Sequence, residues 1–262
     1  MTSPLLELDS VTKRFGRVVI AEDLSLAIGA GDTVGIVGPN GAGKTSLFGL
    51  ISGDLAPDGG EVRLGGRPVT RLDAAARCRL GVGRTYQVPR PFADMTVFEN
   101  LLIAAQQGGG LRRRASYAAA VEALDRCGMS AHANVPAERL GLLQRKRLEL
   151  ARALATQPAL LLLDEVAGGL TDPEVAQLVE IVRGVNAGGI AVIWIEHVVR
   201  ALTAVVSRLI CLSGGTFVGD GEPSAVLADP AVREVFLGTD VTAALAGSTL
   251  EIPAGDDERG EP

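Results

Sequence analysis

The stretch from Thr33 to Gly53 constrains this chain more than any other. Thr33-Val34-Gly35-Ile36-Val37 runs directly into Gly38-Pro39-Asn40-Gly41-Ala42-Gly43-Lys44-Thr45-Ser46, and a segment of helical period follows from about Lys44 to Ile51. An apolar run bounded by glycine predicts a buried strand, and Gly53 predicts the stop of the helix. A strand, a glycine loop and a helix in that order form an anion cradle. Backbone N–H groups wrap a phosphate while the helix N-terminus adds its dipole. In this pattern Lys44 bridges the β- and γ-phosphates of a nucleotide and Thr45 holds Mg²⁺.

The rest of the chain supplies the scaffold for such a loop. Apolar runs alternate with longer segments of helical period, so the fold class is α/β, a mixed sheet covered by helices. Ala159 to Leu163 reads as a second buried strand ending at Asp164-Glu165. Asp172 then caps a helix with Pro173 at its first position, with Val175, Leu178, Val179, Val182 and Val185 on its apolar face and Gly188-Gly189 at its end. Ile190 to Ile195 is a third strand, with Glu196-His197 at its carboxyl end. Ligands in open α/β sheets sit beyond the carboxyl ends of the strands, so Gly38, Asp164 and His197 are expected around one ligand.

The first 30 residues and Glu61 to Val69 read as strands with turns, an antiparallel sheet beside the core. From about Pro91 to Leu140 the pattern is helical, with Val97 to Gln107 and Ala115 to Cys127 flanking Gly108-Gly109-Gly110. We place an inserted helical subdomain at about 91–157, within one domain covering 4–238. Residues 239–262 form an acidic tail without periodicity, expected to be mobile.

Charge narrows the function. The 262 residues carry a net charge of -6, and the segment 239–262 holds six acids against one arginine, or -5, which leaves about -1 for the remainder. A body without basic excess argues against a dedicated nucleic-acid binder. Cys78, Cys127 and Cys211 are widely spaced and odd in number, which suggests neither a disulfide framework nor a zinc site. No leader is visible at the N-terminus and no apolar run approaches the ~20 residues of a membrane span, so a cytosolic or peripheral membrane protein is expected. His132 stands outside any motif and reads as a surface residue, and Leu111-Arg112-Arg113-Arg114 as a solvated basic loop.

Asp164 and Glu165 complete a nucleotide site. The first suits a Mg²⁺ contact and the second the orientation and deprotonation of an attacking water. With these in order, the chain resembles an ATP-binding cassette ATPase, a P-loop NTPase of ABC type, from about residue 4 to 238. Arg84-Thr85-Tyr86-Gln87 resembles the family's Q-loop, whose glutamine touches Mg²⁺ and the attacking water. Gly169-Leu170-Thr171-Asp172 resembles the D-loop, and His197 the histidine that contacts the γ-phosphate. Phe15 occupies the aromatic position that stacks on adenine.

A narrower resemblance rests on Arg84 to Phe92, on Met95-Thr96-Val97-Phe98-Glu99-Asn100-Leu101, on Arg147 to Arg152 and on Asp229 to Gly238. These segments resemble the ATPase subunits of branched-chain amino-acid importers. The resemblance implies ATP and Mg²⁺ as ligands and hydrolysis as the activity. It also implies membrane permease subunits and a second ABC ATPase as partners, an extracytoplasmic solute-binding protein acting indirectly, and a place on the cytoplasmic side of the membrane. Phe92 and the residues around Met95 would form the coupling surface.

The sequence departs from the family at its signature, Leu-Ser-Gly-Gly-Gln, where Leu140-Gly141-Leu142-Leu143-Gln144 stands. In the family this loop closes over nucleotide on the opposite subunit, so Gly141 and Gln144 are expected there. Gly141 removes the serine hydroxyl, and Leu143 is expected to place a branched side chain where close backbone approach is wanted, Leu142 mattering less. Arg145 and Lys146 are expected to help the helix start attract an anion. Val166 and Val198 replace a common proline and aspartate without removing a catalytic group. Two other readings use the same motifs: a soluble ABC ATPase in translation or DNA repair, and a weakly hydrolysing regulatory subunit. A simple P-loop kinase leaves the Q-loop, D-loop and histidine without a role.

Overall fold

The protein is described from a computed structural model over residues 4–237, so the acidic tail and Gly238 lie outside the described residues. The chain opens with β1 (Leu6–Phe15), β2 (Val18–Ile28), β3 (Thr33–Val37), α1 (Lys44–Ser52), β4 (Gly59–Leu64), β5 (Arg67–Pro68), α2 (Ala74–Arg79) and β6 (Val82–Arg84). It continues with α3 (Val97–Ile103), α4 (Arg113–Arg126), α5 (Leu142–Ala155), β7 (Leu160–Asp164), α6 (Asp172–Ala187) and β8 (Ala191–Ile195). It closes with α7 (Val199–Thr203), β9 (Arg208–Ser213), β10 (Thr216–Gly221), α8 (Pro223–Ala228) and α9 (Pro230–Leu237).

Two sheets result. The antiparallel one runs β2-β1-β4-β5 and the mixed one β10-β9-β3-β8-β7-β6. In the mixed sheet all neighbours pair in parallel except the edge pair β9 and β10. Strand β7 shows why its sequence is uniformly apolar. Leu160 and Leu162 face a core shared with α1 and the antiparallel sheet, whereas Leu161 and Leu163 face a second core shared with α4, α5 and α6. Side chains alternate between faces, so a strand covered on both sides needs an unbroken apolar run.

The long elements lie where periodicity puts them, with three local differences. Thr171, not Asp172, takes the N-cap position of α6. The Glu174 carboxylate accepts from the N–H and hydroxyl of Thr171, both at 2.8 Å, which frees Asp172 to pair with Arg200. Beyond α3 the chain makes a π-helical turn over Ala104–Gly108, so the helical run read to Gln107 is not regular throughout. His132 is half-buried rather than a simple surface residue, and its Nδ1 is enclosed with no hydrogen-bond partner among the described residues.

Helices α2, α7, α8 and α9 and strands β6, β9 and β10 have no counterpart in the sequence reading. Helix α2 carries Arg77, fully buried, whose guanidinium donates to the carbonyls of Leu50 and Ile51 at 2.6 and 2.9 Å and so satisfies the end of α1. The cysteines are free thiols, and burial pushes that of Cys127 up to about 12. Among the described residues no helix is long and apolar enough to cross a membrane.

Candidate functional site

Register fixes where the site lies. Val37 pairs with Cys211, Asp164 with Ile195 and Arg84 with Leu162, so β3, β6, β7 and β8 release the chain along one edge of the mixed sheet. The residues after those ends are Gly38, Thr85 to Gln87, Glu165, and Glu196-His197.

The loop from Gly38 to Lys44 admits no side chain at two points. A Cβ on Gly38 would stand 2.0 Å from the carbonyl oxygen of Leu212, and one on Gly43 2.5 Å from that of Ile20. Both glycines have positive φ, 149° and 101°, which a residue with a side chain rarely adopts. Ala42 is buried, Pro39 and Ser46 are half-buried, and Asn40, Gly41 and Thr45 are exposed. Lys44 is only 6% exposed, and its ammonium donates to the carbonyls of Gly38 and Pro39 at 2.8 and 3.0 Å. Burial holds its pKa below the usual lysine value, while the charges of Glu165 and Asp164 act the other way.

Asp164 is buried. Its Oδ2 accepts from Arg84 at 3.2 Å, its backbone N–H donates to the Thr85 hydroxyl at 3.1 Å, and Oδ1 is enclosed with no hydrogen-bond partner among the described residues. Burial raises its pKa above the ordinary carboxylate value, and Arg84 pulls it back. Arg84 also bonds Ser52 and Asp54 and lies against the rings of Phe48 and Tyr86. An enclosed carboxylate oxygen without a donor among the described residues is suited to Mg²⁺, which takes few carboxylates and completes its shell with phosphate and water; the Thr45 hydroxyl and the Gln87 amide oxygen are of the same hard-donor type.

Glu165 is the centre of the arrangement. One carboxylate oxygen accepts from the Gln87 side chain at 2.5 Å and the other pairs with His197 Nε2 at 2.9 Å. A carboxylate in its ionised form only accepts, so a bond to that form takes its proton from Nε2. Its backbone has φ 48°, the left-handed region, which costs a non-glycine residue on the order of 1–3 kcal/mol. Such strain is maintained only where the surroundings over-determine it.

Other expected residues stand apart from this cluster. Phe15 is 54% exposed at the β1–β2 turn, with the Lys13 ammonium 5.5 Å from its ring centre. Lys13 is itself bound to Asp58 at 2.7 Å. Gly141 sits at the N-cap of α5 without a side-chain cap, and the Gln144 amide oxygen lies 2.9 Å from where a Gly141 Cβ would be. Here two expectations are corrected. Leu143 is buried and Leu142 is 48% exposed, because the second residue of the helix faces inward. Leu142, not Leu143, therefore occupies the approach to the helix start, and its Cδ2 lies 3.3 Å from a Cβ placed on Gly169. Lys146 offers nothing to an external anion: it is 5% exposed, with its ammonium on the carbonyls of Gln87 and Glu165.

Three residues named in the sequence make contacts at the site that the sequence did not indicate: Arg84, Lys146 and Glu196. The scarcity of lysine was the available signal for Lys146, and an acid directly after a wholly apolar strand was the signal for Glu196.

Comparison with known proteins agrees with the fold and the motif order. Residues 21–168 match the ABC transporter family. The high-affinity branched-chain amino acid transport ATP-binding protein LivG of Salmonella typhimurium is 35% identical over 253 residues, 91% of this chain and 99% of that protein. The protein of the same description, BraF, from Pseudomonas aeruginosa is 32% identical over 91% of this chain and 99% of its own length. A crystal structure of an ATP-binding cassette of an ABC transporter in its ADP conformation superimposes with TM-score 0.84 at 29% identity, over 90% of this chain and 100% of that one. With a strand–glycine loop–helix, an acidic strand end and a histidine strand end converging on one sheet edge, the chain is an ATP-binding cassette and belongs to the ABC transporter family.

Proposed function

We propose that this chain is the ATP-hydrolysing subunit of an importer for branched-chain or other hydrophobic amino acids or related small solutes. It docks on membrane permease subunits at the cytoplasmic face and pairs with a second ABC ATPase. An extracytoplasmic binding protein delivers the solute to the permease. The working unit is a domain of about 4–238 with its helical part at about 91–157, followed by the tail 239–262.

One observation carries the hydrolytic reading: Glu165 is held between Gln87 and His197 at the strand end that bears Asp164. ATP phosphates lie along Gly38 to Ser46, with the Lys44 ammonium leaving its loop carbonyls for the β- and γ-phosphates. Gly141 and Gln144 face the nucleotide of the paired subunit, and Phe15 the adenine. Glu165 takes a proton from the attacking water, which Gln87 orients, while His197 donates to the γ-phosphate as the bond to ADP breaks. Asp164, Thr45 and Gln87 would hold Mg²⁺, which would supply charge neutralisation at the phosphates. The solute preference rests on the two importer relatives.

The deciding experiment is copurification of tagged Glu165→Gln from detergent-solubilised membranes in Mg-ATP. The variant is expected to bind ATP without turning it over and to bring integral permeases with it. Recovery alone, or with ribosomes or nucleic acid, would remove the importer assignment, and steady hydrolysis by the variant would remove Glu165 as the base.

A further inference from the structure

The Glu165 side chain touches those of Gln87 and His197, and two buried charges hold the three residues through their main chains. Lys146, one turn into α5, donates at 3.2 Å to the carbonyl of Gln87 and at 3.2 Å to the carbonyl of Glu165. Glu196, 2% exposed, accepts from the N–H of Ala167 at 2.6 Å and from that of His197 at 3.1 Å. The backbone is thus gripped by a cation at residue 165 and by an anion at residue 167. That grip accounts for the left-handed conformation of Glu165, since two independent bonds fix the turn around it. Burial lowers the pKa of Lys146 and raises that of Glu196, and the charge of Glu196 opposes the lowering at Lys146. Charges this deeply placed need partners, and each has found main-chain groups of the site.

We propose that Lys146 and Glu196 are positioning residues that clasp the chain around Glu165, and that Lys146 transmits the placement of α5 to Gln87 and Glu165. Helix α5 begins at Leu142, after its N-cap Gly141, and a shift of this helix moves the two carbonyl contacts of Lys146 together. The inference deepens the proposed role of Glu165 and rests on it for its effect on turnover. The clasp itself is a matter of geometry and is read separately.

The chain contains two histidines, His132 and His197, so imidazole resonances in the full chain reduce to two sets, assigned with His132→Gln. Glu165→Gln provides the reference shift for a His197 ring that has lost its carboxylate. Lys146→Met and Glu196→Gln are expected to move the His197 signals in the same direction and leave His132 in place, and Lys146→Arg is expected to restore most of the shift. In Mg-ATP, Lys146→Met should lower kcat by about 10²-fold with KM near that of the parent, the scale of a small misplacement of catalytic groups.

Unmoved His197 signals in folded Lys146→Met and Glu196→Gln would overturn the clasp, as would a kcat in Lys146→Met equal to that of the parent. Failure of Lys146→Arg to fold would overturn it too, making the lysine a requirement of the core. Turnover persisting in Glu165→Gln would refute the proposed base while the His197 shifts still decide the clasp.

Discussion

Lys44 shows how a single residue can weaken the fold it belongs to. Its ammonium is enclosed and its pKa is held below the ordinary 10.5 by that enclosure. Between the lowered value and 10.5 the folded chain binds fewer protons than the unfolded one, so stability rises with pH across that window. The cost of the buried charge is therefore complete at neutral pH and disappears as the group deprotonates. Urea midpoints of the parent and Lys44→Met, measured from pH 7 to above 10, should show the parent gaining on the variant as pH rises. A constant difference would mean that the charge is solvated in the fold. Arg84 is a different case, a guanidinium whose donors are taken up by Ser52, Asp54 and Asp164. Arginine suits that place because its fork is rigid and always ionised.

At the scale of elements, α5 joins two parts of the site, with Gly141 to Gln144 at its start and Lys146 one turn later. The burial of Leu143 decides which substitutions can repair the start. Leu143→Gly empties an enclosed position within a helix and should cost about 4 kcal/mol. Gly141→Ser with Leu142→Gly, at the exposed edge, should change stability by only about 1 kcal/mol. If this chain pairs with an ATPase whose signature is complete, the second variant should raise hydrolysis at the partner's nucleotide alone. Denaturant midpoints and site-resolved turnover check both statements, and equal rates at the two sites before and after would dispose of the asymmetry.

Elements with a strong period were legible from sequence for the same reason that they are stable. Strands β3, β7 and β8 are buried on both faces, and the Val175, Leu178, Val179, Val182 and Val185 face of α6 is buried throughout. The motifs of the candidate site were legible because loops at strand ends carry them in a fixed order. Strand β6, with three residues, is too short to show a period. The placements of Lys146 and Arg77 depend on carbonyl oxygens, those of Gln87 and Leu50 lying 59 and 27 residues away, and every residue type supplies a carbonyl. Bonds from a side chain to distant main chain leave no pattern in composition or spacing.

Across the whole molecule, two cores lie on opposite faces of one mixed sheet. The sheet edge that carries Gly38, Asp164 and His197 is thereby supported from both sides, as the proposed joint action of these groups on one phosphate requires. The three lysines are all drawn into this body: Lys13 is bound to Asp58, Lys44 lies in the glycine loop, and Lys146 lies under Glu165. Among the described residues, exposed positive charge is consequently a matter of arginine. Amine chemistry then becomes a clock of internal motion. An acylating reagent applied to the native chain should modify Lys146 more slowly than Lys13, whose side chain is 14% exposed, and peptide mass spectrometry resolves the two. Equal rates would reveal that α5 lifts away from the sheet on the timescale of the labelling, a movement that would release Gln87 and Glu165 together.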